Sequence, residues 1–250
     1  MYDNELAEYY DDFYSAKDYQ KESEFIEKIS PSAPRILDVG CGTGGHIKHL
    51  TKETNFIQGV DISTLMIKKA TKKFEGVKNV SFFNGDIKDF ATQHDNKFDL
   101  GISLFNVVNH IMSQRKLEDF FKSISDSLNN GAHFIFDCFN FSAFIREKPQ
   151  PYLRKIKSSH YPNQFYEIES TPTFDYRSET FMLRLNNKVT IKNDKETKYF
   201  TYTLDHVIWS HNNFKELIDK YFKNEYKVLK ANGDPNPSDS DYKIKFICTK

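Results

Sequence analysis

The chain of 250 residues is 38% hydrophobic and 15% aromatic, enough to bury a core and too apolar for a disordered chain. Thirty-five Lys and Arg balance 35 Asp and Glu, so no net charge recruits nucleic acid or an anionic membrane. No stretch approaches the roughly 20 apolar residues that span a bilayer; the most apolar, residues 100–112, is broken by asparagines and His110. The opening Met-Tyr-Asp-Asn-Glu is acidic, without the basic-then-apolar order of a secretory signal. Cys41, Cys138 and Cys248 are odd in number and far apart, against a disulfide framework and in favour of a reducing compartment. A cytoplasmic globular protein with neither nucleic acid nor membrane as partner is expected. Its wealth of Phe, Tyr, Asn and Lys is what AT-rich coding yields and does not by itself indicate a stacking site.

Residues 3–29 read as helical, with Phe25, Ile26 and Ile29 facing inward. Pro31 and Pro34 end the helix, because proline cannot donate the bond that propagates it. A short β-branched run over residues 35–39 leads into glycines, residues 44–50 fit a helix, and residues 56–60 fit a strand. Residues 63–74 form a helix with Ser63 as N-cap. Strands follow at 80–83 and 98–104. Leu117, Phe120, Phe121, Ile124 and Leu128 recur at helical spacing; Asn129, Asn130 and Gly131 stop that helix before a strand at 132–139. Short apolar strands alternating with helices specify a parallel sheet covered on both faces.

The alternation ceases between Pro149 and Trp209. There Phe181, Leu183, Leu185, Val189, Ile191 and residues 199–204 follow period two, with Asn186-Asn187 and Asn193-Asp194 as turns. This is an antiparallel meander inserted into the α/β unit. A helix resumes at Asn213, paired with Glu216 as a capping box, and residues 225–229 with 242–248 form a final hairpin.

The chemically informative stretch is Ile36-Leu37-Asp38-Val39-Gly40-Cys41-Gly42-Thr43-Gly44-Gly45, a strand running through glycines into a helix. Glycine lets backbone approach a ligand where a Cβ collides. Gly40, Gly42 and Gly45 also satisfy the dinucleotide pattern G-x-G-x-x-G, so two readings compete. Asp38 favours a cationic ligand, since a pyrophosphate needs bare amides. Asp61 ends the second strand, 17 residues beyond Gly44, where a carboxylate takes both hydroxyls of a ribose. Asp86 follows the third strand, where it accepts from an adenine amino group. Cys41 lies in the glycine loop and is read as packing there.

Asp-Val-Gly-Cys-Gly-Thr-Gly, Gly-Val-Asp-Ile-Ser with Met66 and Ala70 behind it, and Asn-Gly-Asp-Ile resemble the first three motifs of class I S-adenosylmethionine-dependent methyltransferases, over residues 33–139. The resemblance implies a Rossmann-like, mostly parallel seven-stranded sheet with a reversed last strand, to which the β insert after the fifth strand is added. It implies S-adenosylmethionine as cofactor and no metal. Gly40, Gly42 and Gly44, with Asp38, then line the methionine portion. Asp61 binds the ribose, Ile62 and Met66 flank the adenine, Asp86 with Ile87 takes its edge and face, and Leu104 lies beside the cofactor.

After the fourth strand, Ser103-Leu104-Phe105-Asn106-Val107-Val108-Asn109-His110 lies where open α/β sheets place ligands. It is similar to that segment in small-molecule methyltransferases and differs from the Asn-Pro-Pro-Tyr type that methylates nucleic-acid amino groups. His110 titrates near neutrality and is a candidate base, or else it hydrogen-bonds its neighbours or packs against cofactor. The stretch from Glu8 to Tyr14, followed by Lys17-Asp18-Tyr19 and Glu22, resembles the opening of bacterial N-methyltransferases of nucleotide-linked amino sugars. In that group it closes over the cofactor, with a tyrosine matching Tyr14 in the active site, and the insert serves substrate binding and dimer contact. The expected organisation is an N-terminal lid over 1–30, a cofactor-binding core over 31–146, the insert over 147–208 and a closing helix and hairpin over 209–250. The expected reaction is methyl transfer to N or O of a small polar metabolite, preferably a nucleotide-linked sugar. An amino acid or ring hydroxyl as acceptor, an NAD-dependent dehydrogenase and a non-catalytic binder remain as alternatives.

Overall fold

The computed structural model describes residues 4–250 apart from 32, 54, 96, 178, 179 and 224. In chain order it forms α1 (Asn4–Phe13), α2 (Tyr19–Ile29), β1 (Arg35–Val39), α3 (Gly45–Leu50), β2 (Phe56–Asp61), α4 (Thr64–Lys73), β3 (Val80–Asn84), α5 (Ile87–Gln93) and β4 (Phe98–Ser103). After a 3₁₀ turn (Val107–His110) come α6 (Gln114–Ser127), β5 (Leu128–Phe139), α7 (Phe141–Arg146), β6 (Tyr152–Lys157), β7 (Phe165–Arg177) and β8 (Thr180–Lys192). The chain ends with β9 (Thr197–Ile208), α8 (His211–Tyr221), β10 (Tyr226–Lys230) and β11 (Lys243–Thr249). It divides into two compact units, Asp18–Arg146 with Trp209–Lys250, and the residues up to Lys17 with Glu147–Ile208. Among the described residues no helix is long and apolar enough to cross a membrane.

The larger unit is a seven-stranded sheet ordered β10-β11-β5-β4-β1-β2-β3. Its strands are parallel except β11, which runs against both β5 and β10. The β-branched strands, buried on both faces, give a parallel sheet its double covering. On one face Ile36, Ile57, Leu100, Ile102, Ile135 and Ile247 pack with Ile26 of α2 and Ile47 and Leu50 of α3. On the other, the apolar stripes of α6 and α8 meet the sheet through aromatic rings, Phe136 stacking on Phe246 at 4.8 Å and Phe121 standing edge-on to Phe136 at 5.3 Å.

The smaller unit is a four-stranded antiparallel sheet, β6-β7-β8-β9. Period two puts Tyr166, Ile168, Val189, Ile191, Tyr202 and Leu204 on one face, where Leu6 and Phe13 of α1 pack. Asp12 of α1 is buried and accepts from Ser158 Oγ (2.6 Å), the Ser159 amide (2.9 Å), Tyr166 Oη (2.7 Å) and His160 Nδ1 (2.7 Å). Burial alone raises its pKa, yet these donors hold the carboxyl well below its usual range.

Four local expectations are corrected. The stretch read as one helix over 3–29 is two helices, Asn4–Phe13 and Tyr19–Ile29, with residue 3 outside the described residues, and the second begins with Asp18 accepting from the Lys21 amide. Asn129, Asn130 and Gly131 belong to β5, whose pairing with β4 begins at Leu128 and then shifts register. Asn186-Asn187 lies inside β8, paired with Thr171 and Ser170, and the buried Asn187 amide accepts from Ser170 Oγ at 2.6 Å. Long-range pairing overrides the turn preference of asparagine there. Helix α8 is capped by Ser210 with Asn213 at its third position, so Asn213 is not itself the cap.

Candidate active site

The carboxyl ends of β1 and β2 build the site. Leaving β1, the Gly40 and Cys41 amides both donate to the Val60 carbonyl of β2, at 2.7 and 3.1 Å, which pins the start of the loop to the sheet. Gly42 has φ +54°, and a Cβ placed on it meets nothing within 4 Å, so open space lies against the backbone there. Asp61, ending β2, closes the other side: Oδ2 accepts from the Gly42 amide and Oδ1 from the Ser63 amide, each at 2.8 Å. One carboxylate thus ties the glycine loop to the first turn of α4. Burial raises its pKa, while the Ser63 and Gly42 amides pull against that shift.

Asp38 is 1% exposed, and its Oδ2 has no hydrogen-bond partner among the described residues. Burial, with the charge of Asp61 added, pushes its pKa up to about 8. A buried carboxylate left without a donor is costly unless a ligand completes it. An aminoacyl sulfonium nucleoside fits these residues: its positive end answers Asp38, its bulk the space above Gly42, and its ribose hydroxyls the remaining lone pairs of Asp61.

The folded chain binds the Asp38 proton more tightly than the unfolded chain, so this stabilisation is complete below about pH 4 and is lost as pH rises towards 8. A cation bound nearby reverses the preference. S-adenosylmethionine binding at pH 7 is therefore expected to release a proton, and Asp38→Asn to abolish the release. Calorimetry in buffers of differing ionisation enthalpy measures this, and equal proton release from both proteins overturns it.

Asp86 caps α5, its Oδ1 accepting from the Lys88 amide at 2.9 Å, and stays exposed beyond β3. The Gly85 amide donates to the Asp61 carbonyl at 3.0 Å, which brings the second and third acidic positions to one edge. Ile62 is 57% exposed at the same edge. Met66, Ile87 and Leu104 lie in the packed interior. Gly44 is the left-handed N-cap of α3. His110 ends the 3₁₀ turn after β4 and is half-buried. Tyr14 belongs to the smaller unit, its ring 4.8 Å from Tyr10 and under the Arg154 guanidinium at 5.5 Å. Burial pushes its phenol up, with the Arg154 charge opposing. The Cys41 thiol is buried and held protonated by burial and by Asp38 and Asp61, so it packs rather than reacts.

Sequence reasoning assigned no role to Asn106. It sits in the left-handed region at φ +61° straight after Phe105, also left-handed at φ +73°. Its amide donates to Asp137 Oδ1 at 2.6 Å, while its buried Oδ1 has no hydrogen-bond partner among the described residues. Strained backbone of this kind clusters at binding and catalytic sites, and an asparagine, which tolerates the left-handed region, was its sequence signal.

Residues 36–131 match the family model of a methyltransferase domain. The dTDP-3-amino-3,4,6-trideoxy-alpha-D-glucopyranose N,N-dimethyltransferase of Streptomyces venezuelae is 31% identical over 137 residues, 52% of this chain and 56% of that protein. The chain spans about half the length of the curated relatives it matches. Among solved structures, an S-adenosylmethionine-dependent methyltransferase from Clostridium acetobutylicum superposes with a TM-score of 0.77 at 20% identity, over 98% of both chains. Streptomyces venezuelae DesVI does so with 0.78 at 20% identity, over 97% of both. These likenesses establish the fold, including the expected seven-stranded sheet with its reversed strand. The glycine loop, Asp38, Asp61 and Asp86 all fall inside the matched residues 36–131, so that stretch of the chain resembles a methyltransferase domain and carries the site described above.

Proposed function

We propose that the protein transfers a methyl group from S-adenosylmethionine to a nitrogen or oxygen of a small polar metabolite, with a nucleotide-linked amino sugar as the preferred acceptor. The observation supporting the cofactor half is the unpartnered Oδ2 of buried Asp38, two residues before the glycine loop, together with the open space at Gly42. The acceptor half rests on the likeness to an amino-sugar N,N-dimethyltransferase.

When bound, the cofactor supplies a methyl carbon already activated by positive sulfur. The chain's own task is alignment: Asp38 and Asp61 fix the donor, and the segment after β4 holds the acceptor in line. Such positioning supplies about 7–11 kcal/mol of a barrier. An amine attacks as its neutral form and then loses a proton, whereas an alcohol needs the proton drawn off as the bond forms. His110 is the residue we assign to receive it. The insert over 147–208 and the segment around Tyr14 are assigned to the acceptor, with the insert also joining two copies of the chain.

Labelled S-adenosylmethionine incubated with dTDP-linked amino sugars tests the reading, and transfer of label to the amine supports it. Tight binding of NAD with none of S-adenosylhomocysteine overturns it in favour of hydride transfer. With a hydroxyl acceptor, His110→Asn is expected to lower kcat by about a hundredfold or more while leaving the Kd for S-adenosylhomocysteine unchanged. Unaltered kcat removes the base from His110.

A further inference from the structure

Helix α3 carries the glycine loop into the fold, yet it has features of a helix unable to hold itself. It is six residues long, and its N-cap, Gly44, offers no side-chain hydrogen bond. Helices this short are unstable without tertiary support. The support for its first turn comes from α2. The Tyr19 ring lies so close to Gly45 that a Cβ there falls 2.5 Å from a ring carbon, and the same ring stands edge-on to His46 at 5.0 Å. One turn along α2, Glu22 Oε2 meets His46 Nε2 at 2.7 Å, with His46 only 6% exposed.

The second oxygen of Glu22 faces a buried lysine. Lys245 of β11 is 2% exposed, with its Nζ 3.9 Å from Glu22 Oε1. It donates to the Ala231 carbonyl at 2.5 Å and lies over the Phe25 ring at 5.2 Å. A lysine and a histidine in the interior therefore share one carboxylate, and that carboxylate stands on the helix supporting the cofactor loop. Burying the polar His46 and Lys245 side chains is costly, and their lost hydration is recovered only in good geometry. A cheaper apolar contact at this place loses the directionality that a 2.7 Å bond imposes on the first turn of α3.

We infer that Glu22 and His46 are positioning residues for the cofactor: their hydrogen-bonded pair fixes the first turn of α3 against α2, and so sets where the amides of the glycine loop point. The inference rests on the cofactor reading proposed above. A second pair joins the same region near the far end of α3, exposed Lys52 meeting Glu27 at 2.9 Å. It provides a control, because it fastens α2 beyond the loop-bearing turn.

The test is calorimetric binding of S-adenosylhomocysteine, with melting temperature and steady-state kinetics on the same samples. Glu22→Gln keeps the size of the side chain and removes its charge. It is expected to weaken binding about fivefold or more and to raise KM for S-adenosylmethionine with kcat little changed. Glu27→Gln is expected to leave both unaltered. If Glu22→Gln does not fold, His46→Gln carries the same expectation from the other side of the pair. A lower melting temperature with wild-type affinity and KM, or equal weakening by Glu27→Gln, overturns the inference. Failure of the wild type to bind S-adenosylhomocysteine overturns the cofactor reading instead, so the two failures are distinguishable.

Discussion

Asp61→Ala is expected to weaken S-adenosylhomocysteine binding by about ten- to a hundredfold, the equivalent of losing one charge-assisted hydrogen bond of about 1.5–3 kcal/mol. The structure adds a second reason to the one the sequence suggests. Both Asp61 oxygens already hold backbone amides, Gly42 on the loop and Ser63 at the start of α4. Alanine there removes the ribose acceptor and also frees the loop from α4. Ligand affinity and ligand-free melting temperature should fall together. Unchanged affinity by calorimetry rejects the ribose role, and lower affinity with an unchanged melting temperature rejects the tether.

Gly40→Ala and Gly42→Ala are expected to fail in different ways, and the contrast is the sharper test of the cradle. Gly40 has φ +76°, and its new Cβ falls 2.4 Å from Val107 Cγ2. Left-handed strain of about 1–2 kcal/mol joins overpacking of about 1–3 kcal/mol, enough to lower the melting temperature markedly. Val107 opens the 3₁₀ turn that ends at His110, so its displacement also disturbs the proposed base. Gly42→Ala bears the strain without the collision, because nothing lies within 4 Å of its Cβ. Its methyl group projects into the open space assigned to the ligand. Its melting temperature should fall little, while affinity for S-adenosylhomocysteine falls at least about tenfold. Parallel effects at the two positions contradict the assignment of that space.

Much of the larger unit was legible because its signals are local. Short β-branched runs with helices between them specify a covered parallel sheet, and Asp38, Gly40, Asp61 and Asp86 all stand at strand ends that periodicity locates. What escaped depends on distant partners. No strong breaker sits at Ser15-Ala16-Lys17, and the split into α1 and α2 arises because one helix buries Leu6 and Phe13 against the meander while the other buries Ile26 against the parallel sheet. Asn186-Asn187 carries the composition of a turn, yet a strand partner satisfies its amide. The ties of Asp61 to Gly42 and Ser63, and of Glu22 to His46 and Lys245, link positions that nothing in their spacing connects.

The smaller unit is assembled from two stretches of chain far apart in sequence, and α1 supplies part of its interior through Leu6, Phe13 and the buried carboxylate of Asp12. Transfer of the meander between related chains is therefore a two-piece graft. A meander transplanted without the recipient's matching N-terminal dozen or so residues arrives with an uncovered apolar face and orphaned serine, histidine and tyrosine donors. Chimaeras cut at both places should yield soluble protein, and those cut at the insert alone should aggregate.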